Sequence, residues 1–178
     1  MCGKTADAEH KQDELQLDLT HLFGPTPRVV VVRGGRLGDF LAITPALRAL
    51  RRTYPSARID VIVSAYQEPL ARRYQWLDHV LVTPPYPGLD FGEVDQAAIG
   101  EFYLEAGNRQ YDLALQFAGG GINSNRYTVQ LGASLTVGHC EAGAVKLDFC
   151  LPYAPDAPRC FVFSILPVWS VPNLPQPT

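Results

Sequence analysis

The stretch RVVVVRGGRLGDFLAITPAL, residues 28–47, decides the fold of this chain. Its four consecutive valines predict a strand with both faces covered, which is typical of a parallel sheet. A loop rich in glycine and arginine follows, and after it apolar residues recur at the spacing of a helix. A strand that passes through a glycine turn into a helix predicts the start of a strand–helix–strand unit.

The same alternation of strand and helix patterns continues along the chain. Strands are predicted at residues 28–33, 58–64, 79–83, 111–117 and 134–138. Helices are predicted at residues 39–53, 67–75, 93–108 and 122–131. Together they predict an α/β fold, a Rossmann-like parallel sheet with helices on both faces and the strand order 3-2-1-4-5.

Composition and charge exclude several classes of protein. The chain has 178 residues, of which 47% are hydrophobic and 19% charged, and this is typical of a single globular domain. A net charge of −3 provides no basic field for a nucleic acid. No apolar run approaches the roughly 18 residues of a membrane-spanning helix. We therefore expect no nucleic-acid partner and at most peripheral contact with a membrane.

The cysteines and the two chain ends indicate the compartment and the domain limits. No cysteine stands in a metal-binding spacing, and residues 1–24 lack the apolar core of a signal peptide. We expect reduced thiols, no bound metal and a cytoplasmic location. The cysteines are Cys2, Cys140, Cys150 and Cys160. The predicted regions are a polar N-terminal extension at 1–27, the Rossmann-like domain at 28–158 and an irregular, proline-rich tail at 159–178.

Two glycine-rich loops mark the predicted site. Open α/β sheets bind ligands beyond the carboxyl ends of their strands, where the strand order switches direction. That point lies between the first and fourth strands, whose loops are residues 33–39 and 118–125. Glycine lets a backbone approach a ligand closely, and arginine grips anionic oxygens. The residues expected to bind substrate are Arg33, Gly34, Gly35, Arg36, Gly38, Gly119, Gly120, Gly121, Asn123 and Asn125.

Structural explanations of the same residues stay open. The first loop could be only a tight turn, and Asp39 only the N-cap of the next helix. Asn123, Ser124 and Asn125 are expected either to bond sugar hydroxyls or to include a helix cap.

A dinucleotide fingerprint is only partly present. Gly35 and Gly38 fit a GxGxxG pattern, but Arg33 holds its first position and Ser64 replaces the acidic residue. His79 is expected to be structural, and His139 is a minor candidate for the site.

The segment RGGRLGDFLAITPALRALRRTYPSARIDVIV, residues 33–63, resembles the N-terminal domain of glycosyltransferase family 9. This family includes the heptosyltransferases of lipopolysaccharide core synthesis. The matching features are Gly38–Asp39, the TPAL of residues 44–47, the TYPSARIDV of residues 53–61 and the YDLALQFAGGGINSN of residues 111–125.

The resemblance implies a GT-B enzyme, in which two Rossmann-like domains face each other across a cleft. The N-terminal domain would hold a sugar or glycolipid acceptor, and the C-terminal domain a nucleotide sugar such as ADP-heptose. Transfer would invert the anomeric centre without an obligatory metal or other cofactor. Asp39 would be the base on the acceptor hydroxyl, and Arg33 would contact anionic groups of the acceptor. Ala118 departs from the pattern, because many members have His or Gln there.

Family members are longer than this chain, so we expect the donor domain to be absent and the chain to be inactive alone. The tail at 159–178 is interpreted as the result of a truncation or frameshift. The alternatives are a nucleotide- or dinucleotide-binding module of an oxidoreductase, or a non-catalytic fragment.

Overall fold

A six-stranded parallel sheet forms the centre of the protein. The computed structural model describes residues 18–153. The strands are β1 Arg28–Val32, β2 Arg58–Val63, β3 His79–Val82, β4 Leu113–Gln116, β5 Leu135–His139 and β6 Phe149–Leu151. Every neighbouring pair is parallel, in the order β3-β2-β1-β4-β5-β6. The predicted fold class and the order of the first five strands are confirmed. The sequence pattern missed β6, which is too short to show a period.

Helices cover both faces of the sheet. They are α1 Leu19–Phe23, α2 Leu37–Thr53, α3 Glu68–Ala71, α4 Gln96–Asn108 and α5 Ser124–Val129, with a 3-10 turn at Ala65–Gln67. Successive strand residues point to opposite faces, so Val29 and Val31 pack in one apolar cluster and Val30 and Val32 in another. The first cluster contains the buried face of α2, and the second contains residues of α4 and α5. This arrangement explains why β1 is apolar throughout.

The helix predicted at residues 67–75 is wrong in its extent. The chain forms a 3-10 turn and then one turn of α3, which ends at Ala71. The amides of Arg73 and Tyr74 bond to carbonyls three residues back, at 3.0 and 3.1 Å, which ends the α-helical pattern. Tyr74 and Trp76 then pack against the α2 side of the sheet, so tertiary burial overrides the local pattern.

The helix α2 continues through Pro45, which lacks the amide that would bond to the carbonyl of Leu41. The hydroxyl of Thr44 donates to that carbonyl at 2.8 Å instead. Thr44 therefore supplies the hydrogen bond to the Leu41 carbonyl that Pro45 cannot make.

The structure corrects two expectations, one about the N-terminal extension and one about the cysteines. Leu19, within the predicted extension at 1–27, is fully buried in the core. A disulfide bond joins Cys140 to Cys150, so the expectation of reduced thiols is wrong for this pair. The two cysteines become neighbours only when β5 pairs with β6, which the sequence did not predict. Cys2, Cys160 and the tail at 159–178 lie outside the described residues.

No helix within residues 18–153 combines the length and the apolar character needed to cross a membrane.

A buried carboxylate ties several elements together on the α4 side of the sheet. Asp60 of β2 is fully buried. Its Oδ2 accepts from Arg109 Nη1 at 3.1 Å and from the Tyr111 hydroxyl at 2.8 Å. Its Oδ1 lies 3.2 Å from His79 Nδ1 and 3.4 Å from Arg58 Nε. The predicted structural role of His79 is thus confirmed.

The buried phenols of Tyr111 and Tyr127 should make the folded protein less stable at alkaline pH. Burial raises the pKa of Tyr127, and burial followed by the charge of Asp60 raises the pKa of Tyr111. Both folded-state values lie above the unfolded value near 10, so this stabilisation is complete below pH 10 and is lost as the pH rises further. Each phenol should then lower the free energy of unfolding by about 1.4 kcal/mol per pH unit above pH 10.

Thermal melts between pH 8 and 11.5, with absorbance titration of the phenols, measure this effect. Tyr127→Phe should reduce the slope by the share of one phenol, and the chain unfolded in guanidinium is the reference for unperturbed tyrosines. Titration of Tyr111 and Tyr127 near pH 10 in the folded protein would contradict the prediction.

Candidate functional site

Buried polar side chains lie at the carboxyl ends of four neighbouring strands, β3, β2, β1 and β4. Arg33, Ser64 and Thr83 directly follow β1, β2 and β3, and they are 5%, 0% and 2% exposed. Gln116 ends β4 and is also fully buried. Parallel strands end at one edge, so these side chains form a polar layer beneath the loops there. The strand predictions included the first three of these residues, which instead begin the loops.

The loop after β1 is held by contacts from two other segments. Gly35 donates its amide hydrogen to the carbonyl of Leu89 at 2.6 Å. The Ser64 hydroxyl donates to the same carbonyl at 2.9 Å. Gln67 Nε2 donates to the Arg36 carbonyl at 2.9 Å, and the Tyr66 hydroxyl donates to the Gly35 carbonyl. The β1–α2 loop is therefore organised before any ligand arrives.

The three glycines of this loop have different structural roles. A Cβ on Gly34 would overlap the backbone of Leu89, so the close packing of two loops requires this glycine. Gly35 has a φ of +98°, in the left-handed region that favours glycine. A Cβ on Gly38 would meet nothing within 4 Å. Gly38, in the first turn of α2, is therefore the one of these three glycines whose Cβ position is open.

The glycines yield a matched pair of variants. Gly34→Ala should lower the free energy of unfolding by about 1–3 kcal/mol, because the methyl group displaces the Leu89 backbone. Gly38→Ala lies in the first turn of α2 and should be neutral or stabilising by up to about 1 kcal/mol. Urea denaturation measures both. Equal effects from the two substitutions would contradict the packing assigned to Gly34.

Asp39 occupies the N3 position of α2, so its predicted place as N-cap is wrong. Arg36 is the N-cap, with extended backbone at φ −83° and ψ 160°. Asp39 Oδ2 accepts from the Arg36 amide at 3.0 Å, as in a capping box. Its Oδ1 lies 2.9 Å from Arg33 Nη2, and its side chain is 16% exposed. The carboxylate is thus oriented on both oxygens while one side stays open to solvent.

Arg33 faces inward. Besides pairing with the Asp39 carboxylate, its Nε donates to the Asp39 carbonyl at 3.2 Å. Contact between Arg33 and an anionic acceptor stays a prediction, whereas the structure shows Arg33 paired with Asp39. Arg36 is exposed at the start of α2 and is the more accessible cation of this loop.

The second glycine-rich loop starts beside the first. Phe117 donates its amide hydrogen to the Val32 carbonyl at 3.0 Å, so both loops leave adjacent strand ends. Gln116 Nε2 and the Ser124 hydroxyl both donate to the Ala118 carbonyl, at 3.0 and 2.7 Å, which closes the loop. The Rossmann-like switch point therefore brings the two predicted loops together.

The asparagine side chains of the second loop make no capping hydrogen bond at the start of α5, contrary to expectation. Asn123 is the N-cap but makes no side-chain capping bond, and it lies against Gly88. Asn125 is fully buried and donates to the carbonyls of His139 and Val145, at 3.1 and 2.9 Å. The expected sugar contacts of Asn123 and Asn125 stay predictions, with Asn123 the exposed member of the pair.

Internal packing also involves two of the three glycines in the second loop. A Cβ on Gly120 would lie 2.5 Å from the carboxyl carbon of Glu141, and a Cβ on Gly121 would overlap the Asn125 amide. Gly119 has a φ of +68° and open space around it. Their substrate contacts stay predictions. His139 is 3% exposed and faces the Pro152 carbonyl at 3.0 Å.

Sequence reasoning missed a cavity beside this crevice. The loop after β3 contains Leu89, which is 1% exposed and anchors the loop over Gly34. Between this loop and α4 lies a cavity of about 730 Å³. It is lined by Ala65, Tyr66, Val82, Thr83, Pro84, Pro85, Asp90, Phe91, Ala98, Glu101, Phe102 and Glu105. The only signal in the sequence was the proline- and glycine-rich segment PPYPGLDFG, residues 84–92, which predicted a loop.

Tyr66 connects the cavity to the β1–α2 loop. Its hydroxyl bonds to Gly35, and its ring lines the cavity. Burial raises the pKa of the Tyr66 phenol, and the carboxylates of Asp90 and Asp39 raise it further. The phenol therefore experiences the charges of both the cavity and the β1–α2 loop.

A short stretch of the chain is similar in sequence to a protein described as a glycosyltransferase. No family model matches the chain. A Haemophilus influenzae protein described as a candidate glycosyltransferase is 31% identical over 55 residues. That match spans 31% of this chain and 16% of the other protein.

Solved structures share the fold over most of the chain. The heptosyltransferase WaaC of E. coli, solved with ADP, has a TM-score of 0.62 at 16% identity, over 77% of this chain and 46% of the enzyme. Its structure with ADP-2-deoxy-2-fluoro heptose has a TM-score of 0.64 at 16% identity, over 76% and 45%. The family 9 glycosyltransferase of Veillonella parvula has a TM-score of 0.56 at 18% identity, over 65% and 32%.

This chain spans less than half the length of these enzymes. Its resemblance to glycosyltransferase family 9 is confirmed, and residues 18–153 have the Rossmann-like fold of these enzymes.

Proposed function

We propose that this chain is the acceptor-binding part of an inverting, heptosyltransferase-like glycosyltransferase that acts in the synthesis of lipopolysaccharide or another cell-surface glycan. The observation that carries this proposal is the Asp39 carboxylate. It lies beside the predicted crevice, oriented by Arg33 Nη2 at 2.9 Å and by the Arg36 amide at 3.0 Å. A general base must be held in place and stay accessible to the proton that it removes. Asp39 meets both conditions.

The proposed reaction needs one proton acceptor on this domain. Asp39 accepts the proton of an acceptor hydroxyl while that oxygen attacks the anomeric carbon of the donor. The bond from this carbon to the nucleoside diphosphate breaks on the opposite face, which inverts the configuration. A carboxylate oxygen can accept more than one hydrogen bond, and in this proposal Asp39 accepts from the acceptor hydroxyl in addition to Arg33 and Arg36. Arg33 thereby acts as a positioning residue.

The donor of this reaction would be a nucleoside diphosphate sugar. The E. coli structures contain ADP and an ADP-heptose analogue, which makes ADP-heptose the first donor to test. Transfer requires both substrates in near-attack geometry, so the donor would be held by a second domain that faces the crevice. We propose a cytoplasmic site of action, with the sugar or glycolipid acceptor reached through peripheral contact with the membrane.

The alternative of a dinucleotide-binding module has little support from the end of β2. An acidic residue there would bind a ribose, but Ser64 is fully buried and donates to Leu89.

A transfer assay tests the proposal. Residues 1–178 are joined to the donor-binding half of WaaC, and ADP release from ADP-heptose is measured with a panel of sugar and glycolipid acceptors. We expect acceptor-dependent ADP release from the fusion and none from the 178-residue chain alone. Transfer by the chain alone would contradict the need for a second domain. Failure of every acceptor in a folded fusion would contradict the proposed activity.

A further inference from the structure

The cavity between α4 and the loop after β3 has a chemical character of its own. Tyr66 and Phe91 line it and remain 48% and 72% exposed, so two aromatic rings are available for contact. The apolar C–H face of a sugar ring removes such surface from water when it packs against an aromatic ring. Aromatic rings beside polar groups are therefore typical of a site that binds a ring with one apolar face and several hydroxyls.

The charged groups that line the cavity are hydrogen-bond acceptors. Asp90, Glu101 and Glu105 contribute carboxylates, and no Lys or Arg is among the described residues that line the cavity. Ionised carboxylates accept hydrogen bonds and repel phosphates and other carboxylates. A sugar hydroxyl is a suitable donor for them, whereas a phosphorylated or acidic sugar would meet like charge.

Glu101 is the available acceptor in this group. Glu105 accepts from Arg109 at 3.0 Å, and Asp90 accepts the Phe91 amide at 2.7 Å. Among residues 18–153, the side chain of Glu101 has no hydrogen-bond or ion-pair partner, and the residue is exposed at the cavity. Its carboxylate is thus free to receive donors from a ligand.

From this geometry we infer that the cavity binds an uncharged sugar ring of the acceptor, held by Tyr66, Phe91 and Glu101. This rests on the proposed function, and it specifies the acceptor as carrying a neutral sugar beside the reacting hydroxyl. Tyr66 links the cavity to the β1–α2 loop, which directly precedes the first turn of α2 with Asp39, because its hydroxyl bonds to Gly35. The inference departs from the anionic acceptor expected for Arg33, whose guanidinium is directed at Asp39.

The test uses the 178-residue chain and three pairs of probes. Glucose, galactose and mannose are compared with their 6-phosphates by NMR titration of the backbone amides. At least one neutral hexose should shift the amides of Tyr66, Phe91 and Glu101. Its 6-phosphate should bind at least about fivefold more weakly, because the added charge faces carboxylates.

Two matched pairs of variants locate the binding. Phe91→Ala should weaken hexose binding about tenfold, whereas Leu104→Ala, at a side chain of equal exposure on α4 outside the cavity, should change it less than twofold. Glu101→Lys should remove or reverse the preference for the neutral sugar. Glu93→Lys makes the same charge change at an exposed residue outside the cavity and should leave the preference intact.

The inference is overturned if no hexose shifts the cavity amides, or if a 6-phosphate binds the cavity as tightly as its neutral partner. These outcomes are distinct from failure of the proposed function. Hexose binding at the cavity with no transfer by the fusion would remove the catalytic role and leave the sugar site. Transfer that depends on Asp39, together with a cavity that selects phosphorylated sugars, would remove the inference alone.

Discussion

An Asp39→Ala variant of the fusion enzyme is expected to transfer sugar about 10²–10⁴-fold more slowly, the range typical of a lost general base. The effect should fall mainly on kcat, because in our proposal the cavity and the second glycine loop bind the acceptor without Asp39. Initial rates of ADP release across a range of acceptor concentrations separate kcat from KM.

Asp39→Asn is the control that separates chemistry from structure. Alanine would leave the buried Arg33 without its carboxylate and remove the bond to the Arg36 amide. Asparagine retains an oxygen that can accept from one of these donors but has little capacity to take a proton. It should therefore fold more stably than the alanine variant and be nearly as slow. An Asn variant within a few fold of the wild-type kcat would show that Asp39 is not the base.

An Asp60→Ala variant is expected to lose about 3–5 kcal/mol of folding free energy, as when one partner of a buried ion pair is removed. The free energy of unfolding of a typical domain is only about 5–15 kcal/mol, so a large fraction of the variant molecules would unfold at elevated temperature. The physical reason is the set of donors around Asp60, which includes Arg109 Nη1 at 3.1 Å and the Tyr111 hydroxyl at 2.8 Å. Urea denaturation followed by circular dichroism measures the loss.

Two comparisons make this prediction specific. Asp60→Asn can still accept from Tyr111 but lacks the charge, so its effect should lie between those of the wild type and the alanine variant. Glu93→Ala removes an exposed carboxylate and should change stability by less than about 0.5 kcal/mol. An Asp60→Ala variant as stable as Glu93→Ala would contradict the role assigned to the buried cluster.

Local pattern was sufficient for most of the fold. All four valines of β1 are apolar, so both faces of this strand must be buried. A central position between two layers of helices buries both faces. The pattern failed at residues 67–75, where packing of Tyr74 and Trp76 ended α3 early. It also failed at β6, whose three residues become a strand by pairing with β5.

The candidate site was predictable in position but less so in detail. The two glycine loops were expected at the switch point, and the residues directly before them, Val32 and Phe117, are hydrogen-bonded to each other there. The direction of Arg33 was not predictable, because it depends on the place of Asp39 one turn into α2. The close packing of the Leu89 backbone against Gly34 was not predictable either, since the two residues are far apart in the sequence.

The sequence by itself determined the parallel sheet, the two loops at its carboxyl edge and the presence of the Asp39 carboxylate close to the first of them. These follow from side-chain periodicity and glycine content, which act over a few residues. Only the tertiary structure decided that Arg33 pairs with Asp39, that Cys140 meets Cys150 and that α4 leaves a cavity rich in carboxylates. Such features depend on which distant segments pack together, and packing is set by the burial of the whole chain.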